Sequence, residues 1–336
     1  MTTVAPVQRW TAEAPSNIAL IKFMGKVETA GNRPTNTSLS FTLDHLKSLV
    51  QLEFDSRLTN DVWEPLTNFG DRQFAPLKLS QKGVERFLAH LALIKATFDF
   101  KGFFHVRSAN DFPSDCGLAS SASSFAALTK VGVGAMAALT ERDVPSMTEV
   151  AELSRRGSGS SCRSFFGPWS LWAPDHVGDV PSLATKGKLF HQVVVVDDHV
   201  KAVSSSEAHK RVTSSLLFAG RPNRADVRSH DLIKALELEH WEEAFQISWA
   251  EFWDMHALFE TSVPSFGYMT AGSLEILSYV RDTLWAKEKD GPIVTMDAGP
   301  NVHLLYRRDE KGLKLASQLA ATIKGHYKII SSEALA

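Results

Sequence analysis

The chain has 336 residues, carries 36 Lys and Arg against 38 Asp and Glu for a net charge of -2, and is 44% hydrophobic. That length is about twice what one hydrophobic core organises, so two domains or one large one is expected, and a disordered tail or a mini-protein is excluded. The balanced charge supplies no basic field for nucleic acid.

The N-terminal stretch through Ala14 lacks the continuous apolar run of a signal peptide, and the windows at 131–139 and 193–196 fall short of the roughly 18 residues a spanning helix needs. Cys116 and Cys162 cannot make a disulfide framework, and neither has a CxxC or Cys/His neighbour that would suggest zinc. A cytoplasmic protein with free thiols, no membrane partner and no nucleic-acid partner is expected.

In chain order, β-branched and aromatic runs predict strands at 49–54, 103–107, 192–196, 293–296 and 302–306. Apolar residues at spacings of three and four predict helices at 82–96, 118–139, 229–257, 272–287 and 311–323. The chain is therefore α/β or α+β, without an internal repeat. Pro174, Gly178, Pro181 and Gly187 mark a composition shift, which places the domain boundary near 188 and gives domains 1–188 and 189–336. The basic stretch 204–228, with Lys210, Arg211, Arg221, Arg224 and Arg228, reads as a solvated helix face. Trp241, Phe245, Trp249, Phe252 and Trp253 recur at helical spacing and predict a packing stripe. The twelve histidines show no metal-ligand spacing and are expected to be solvated or hydrogen-bonded.

Four segments carry chemistry. In the first, 15–26 followed by 33–40, Lys22 interrupts the apolar run 18–24, where a buried amine is costly unless it meets an anion or a carboxylate. In the second, 110–127, a polar loop with Pro113 and Gly117 runs into a small-residue helix. Ser120, Ser121 and Ser123 there suit a phosphate cradle at a helix N-terminus, as well as tight packing on a sheet. The third, 155–167, clusters Ser158, Ser160 and Arg163 with Gly157 and Gly159, which allow unusual backbone angles beside a phosphate or carboxylate. The fourth, 295–303, puts Asp297 at a strand end before a Gly-Pro turn, where an Asp commonly bonds its own backbone.

Together and in this order, these segments resemble the mevalonate diphosphate decarboxylases of the GHMP kinase superfamily, over Asn17 to Asn301. The resemblance implies the GHMP kinase fold: an N-terminal domain like the second domain of ribosomal protein S5 and a ferredoxin-like C-terminal domain. It implies ATP-dependent decarboxylation of 5-diphosphomevalonate to isopentenyl diphosphate through phosphorylation of the C3 hydroxyl, with ATP and Mg²⁺ as cofactors. By the same resemblance, Asp297, Lys22 and Arg163 are catalytic, and Lys26, Ser158, Ser160, Arg163 and Ser205 bind substrate. Ser108, Asn110, Gly117, Ala119, Ser120 and Ser121 bind nucleotide, Ser121 is a metal ligand, and a homodimer is common. Phe23-Met24 stands where the family has Tyr-Trp, which removes a phenolic hydroxyl that contacts the diphosphate end. Asp115 lies beside the phosphate loop, where it points away or helps hold the metal. A 5-monophosphate decarboxylase, a mevalonate 3-kinase and an inactive metabolite sensor are the competing readings. Cys116 and Cys162, in the phosphate and substrate loops, are expected to block activity when alkylated.

Overall fold

A computed structural model describes residues 8–27, 31–112, 120–185, 188–197, 199 and 201–334. They form two compact units that interleave in sequence: one takes 8–16, 46–112 and 120–165, and the other takes the remainder.

The first unit is built on the strands β1 (Gln8–Ile21) and β2 (Ser38–Phe54), which pair and which each supply residues to both units. Next come β3 (Val62–Pro65), the short hairpin β4 (Asn68–Phe69) and β5 (Arg72–Gln73), helix α1 (Gln81–Thr97), β6 (Phe104–Asn110), α2 (Ser120–Thr140) and α3 (Met147–Gly157). Residues 48–54 of β2 pair antiparallel with β6, from Ser48 opposite Asn110 to Phe54 opposite Phe104, and β3 joins β6 in parallel. Ser80 caps α1 by accepting from Gly83 N at 3.1 Å, a contact of about 1 kcal/mol, and Phe87, Leu91 and Ile94 then recur on its buried face. A Cβ on Gly132 would lie 3.1 Å from Ile94, so the glycine lets α1 and α2 approach closely.

Among the described residues, α2 alone has the length and composition of a membrane span, which a search for shorter apolar windows overlooks. Its apolar window is 72% buried within the protein, so that surface is used in core packing with α1 and α3.

The second unit adds β7 (Trp169–Trp172), β8 (Val177–Asp179), β9 (Leu189–Val195), α4 (Ser205–Arg211), α5 (Arg221–Glu237), α6 (Trp241–Glu260), α7 (Ala271–Tyr279), β10 (Ile293–Thr295), β11 (Val302–Arg307), α8 (Glu310–Thr322) and β12 (Lys328–Ser331). Strands β9 to β12 form an antiparallel sheet in the order β10-β11-β9-β12, and residues 38–41 of β2 pair with β7. Phe245 and Phe252 of α6 are buried and Trp241, Trp249 and Trp253 are partly so, all in one core, as the packing stripe predicts. The helix predicted over 229–257 is in fact two, because the chain turns at Glu239, whose φ is 59°, between α5 and α6. The solvated face predicted over 204–228 holds for Lys210 and fails for Arg221, which is 0% exposed against α6.

Candidate active site

Two of the four segments meet in the second unit. Ile18, Ala19, Leu20 and Ile21 carry β1 into the core, and Lys22 follows at 1% exposure. An ammonium this buried needs a counter-charge, and Asp297, just beyond the end of β10, supplies it: Lys22 Nζ donates to Asp297 Oδ1 at 2.7 Å. The Asp297 side chain remains 28% exposed beside a cation that is 1% exposed. Thr295 Oγ1 donates to the Ala19 carbonyl at 2.9 Å and ties β10 to β1 beside the pair. Asn301 Oδ1 accepts from Val196 N at 2.7 Å and Asp197 N at 3.1 Å, which fixes the turn after Asp297 to the end of β9.

The peptide groups of Lys22 are held by side chains absent from the sequence-level assignment. Its N–H donates to Glu251 Oε1 at 2.9 Å, and its carbonyl accepts from Asn36 Nδ2 at 2.9 Å and Arg221 Nη2 at 3.2 Å. Arg221 and Glu251 are both 0% exposed and form a two-point ion pair, joined at its outer side by Arg228. Burial pulls the Asp254 carboxyl upward, but Arg224, Arg221 and Arg228 outweigh it and hold the group below the ordinary carboxylate range. His256 lies on the same helix as Glu251. Burial first, and then the charge of Lys22, push its imidazole down to about 3. Glu251 stands out in the sequence as an acid among the aromatics of α6, and its partnership with Arg221 has no local signature.

After Lys22, the Phe23 ring sits 4.6 Å from that of Trp172 and 4.3 Å from that of His209. Gly25 has φ 103°, and a Cβ there would lie 2.6 Å from Thr35 Oγ1, so only glycine fits. Half-buried Lys26 donates to Asn32 Oδ1 at 2.8 Å. Ser205 is exposed in the first turn of α4, behind its cap Ser204.

The other assigned residues belong to the first unit. Ser158 and Arg163 are buried and Ser160 half-buried, on the end of α3 and the 3-10 helix Gly159–Phe165. Gly157 does not take an unusual backbone angle as predicted. It is small because a Cβ would lie 2.4 Å from the Phe125 ring and 2.6 Å from His90. Cys162 is fully buried, and desolvation pushes its thiol up to about 12, which removes it from the predicted alkylation-sensitive pair. Cys116, Asp115, Gly117 and Ala119 lie outside the described residues.

On β6, Ser108 Oγ accepts from the Trp63 indole at 2.9 Å, and Asn110 Oδ1 accepts from Ser48 Oγ at 2.6 Å. Half-buried Ser120 and exposed Ser121 open α2, whose first turn carries no acid, so its N–H groups and dipole suit an anion. Among the described residues, no cluster of His, Cys, Asp or Glu could hold a metal unaided. A Mg²⁺ ion held mainly through nucleotide phosphates and water needs no such cluster, so the residues present fit one that arrives with ATP.

The family model described as diphosphomevalonate decarboxylase-like N-terminal domain matches residues 14–184, and that of the mevalonate 5-diphosphate decarboxylase C-terminal domain matches 192–333. A crystal structure of a mevalonate diphosphate decarboxylase from Legionella pneumophila is 46% identical, covers 96% of this chain and 100% of its own, and superposes with a TM-score of 0.88. A structure described as MDDEF in complex with MVAPP, AMPPCP and magnesium is 29% identical, with a TM-score of 0.84 and coverage of 97% and 96%. The diphosphomevalonate decarboxylase of Ganoderma lucidum is 33% identical over 88% of this chain and 77% of its own length. The fold is of the GHMP kinase type. Within that class, the chain belongs to the diphosphomevalonate decarboxylase family.

Proposed function

We propose that the protein catalyses ATP- and Mg²⁺-dependent decarboxylation of (R)-5-diphosphomevalonate to isopentenyl diphosphate, CO2, ADP and phosphate, by way of C3-hydroxyl phosphorylation. The observation that carries this reading is the Lys22–Asp297 pair, a buried ammonium against a partly exposed carboxylate, in a member of this family.

Asp297 orients the C3 hydroxyl and accepts its proton, help typically worth about 10²- to 10⁴-fold. Lys22 favours the ionised form of that carboxylate and offsets charge on the transferring phosphoryl. Arg163 holds the substrate carboxylate through its planar fork, while Ser158, Ser160, Lys26 and Ser205 bind the phosphorylated chain. ATP with Mg²⁺ supplies the phosphoryl group and neutralises its charge. Ser108, Asn110, Ser120 and Ser121, with Gly117 and Ala119, belong to the nucleotide site, and Ser121 offers its hydroxyl to the metal. The assignment is supported by the acid-free first turn of α2 and by the match of Asn110, Gly117, Ala119, Ser120 and Ser121 to the family's motif, with Ser108 on its approach.

Division at 1–188 and 189–336 is part of the proposal, supported by family matches that end at 184 and resume at 192. So are a homodimer, which sedimentation equilibrium reads, and a cytoplasmic location, which suits two cysteines without a disulfide framework. The reaction is tested by following ADP release with Mg²⁺ and each phosphorylated form of mevalonate. Release on the 5-diphosphate that EDTA abolishes supports it, and release on none of them refutes it.

A further inference from the structure

The two members of the proposed catalytic pair stand 275 residues apart in the chain, one after β1 and the other after β10. A base and its counter-cation drawn from such distant segments need a frame, since a misplacement of about 1 Å can cost about 10²-fold in rate. Lys22 is held by both of its peptide groups. Glu251 of α6 accepts its N–H at 2.9 Å, and Asn36 Nδ2 donates to its carbonyl at 2.9 Å. Glu251 shares the buried face of α6 with Phe245, Phe252, Met255, His256, Leu258 and Phe259.

Arg221 completes the frame from α5: it pairs with Glu251 and donates to the Lys22 carbonyl at 3.2 Å. A buried ion pair serving stability alone can often be replaced by apolar residues. This pair instead directs an acceptor at the N–H of one residue and a donor at the carbonyl of that same residue.

We propose that Glu251, braced by Arg221, and Asn36 are positioning residues: they hold Lys22 by its peptide groups, so that its ammonium meets the Asp297 carboxylate in the reactive geometry. The inference rests on the reading of Lys22 and Asp297 as the catalytic pair. It adds three residues, each 0% exposed, that act through Lys22.

The test measures kcat and KM for 5-diphosphomevalonate by ADP release. Arg221→Met with Glu251→Leu removes both charges and the acceptor together, whereas Arg221→Met with Glu251→Gln keeps an amide oxygen for the Lys22 N–H. Asn36→Leu removes a donor to the Lys22 carbonyl, and Asn36→Gln keeps an amide that can supply one. Neither Asn36 variant discards a charge, so that pair carries the test alone should the double variants not fold. The Leu forms, confirmed as folded by circular dichroism, are expected to lose kcat by about ten- to a hundredfold with KM within about threefold, and the Gln forms to regain most of it. Folded Leu forms with kcat within about threefold of wild type, or Leu and Gln forms that behave alike, would overturn the inference. Asp297→Asn is assayed in parallel. Full activity there sinks the catalytic reading itself, whereas its loss beside active Leu forms sinks the positioning role alone.

Discussion

Lys22 Nζ and Asp297 Oδ1 lie 2.7 Å apart, with the lysine side chain 1% exposed and the aspartate 28%. The cation therefore lies inside the protein and the aspartate side chain at its boundary, an asymmetry that suits a base whose substrate arrives from solvent. Desolvation strengthens the attraction between the two.

Asp297→Asn keeps the shape of the side chain and removes its charge and basicity. We expect a folded protein that still binds ATP and loses turnover by at least about a hundredfold. Turnover and nucleotide affinity measured on the same preparation check this, and activity within about threefold of wild type would contradict the mechanism. Lys22→Met is expected to lose turnover similarly.

Arg163→Ala is expected to weaken substrate binding as well as turnover, because a guanidinium fork binds a carboxylate in the ground state and keeps that contact as CO2 begins to leave. Calorimetric titration with 5-diphosphomevalonate alongside steady-state kinetics reads both effects. A change in kcat with unaltered affinity would remove Arg163 from substrate binding.

Cys162 is expected to resist maleimide in the folded protein and to react only after unfolding, since burial pushes its thiol up to about 12. Peptide mapping after labelling with and without urea distinguishes it from Cys116. Labelling of Cys162 in folded, active enzyme would contradict its burial.

Stability is expected to fall as the solution is acidified below about pH 6.5. Burial, the largest cause in each case, pushes His45 and His90 down to about 4 and His256 to about 3, and holds His191 well below its ordinary value between His45 and His303. The unfolded chain therefore binds more protons through the window from about 6.5 down to about 4. Each such histidine makes stability rise with pH there by up to about 1.4 kcal/mol per unit. Urea midpoints at about pH 7.5 and about pH 5.5 test it, with the lower midpoint expected in acid and equal midpoints contradicting it.

Much of this was legible in the amino acids. Five strands and the helices near 82–96 and 311–323 follow from β-branched runs and helical spacing, and Lys22 stands out because an amine inside 18–24 demands an anion. What stayed hidden is what the chain makes non-locally. The break between α5 and α6 has no glycine or proline to announce it, only Glu239 in a left-handed conformation. Arg221 looks like its basic neighbours until Glu251, on the following helix, turns it into a fully buried brace. Gly157 was read for its backbone angle because sequence displays flexibility more readily than the Phe125 and His90 rings packed against it.

The most direct test of the central claim is the stoichiometry of CO2 against ADP released from carboxyl-labelled 5-diphosphomevalonate, with mevalonate and the 5-monophosphate run in parallel. One CO2 for each ADP on the 5-diphosphate is the predicted result. ADP without CO2 would make the protein a 3-kinase despite its Lys22–Asp297 pair. Matched release on the monophosphate alone would mean that Phe23, in place of the family tyrosine, marks a different substrate.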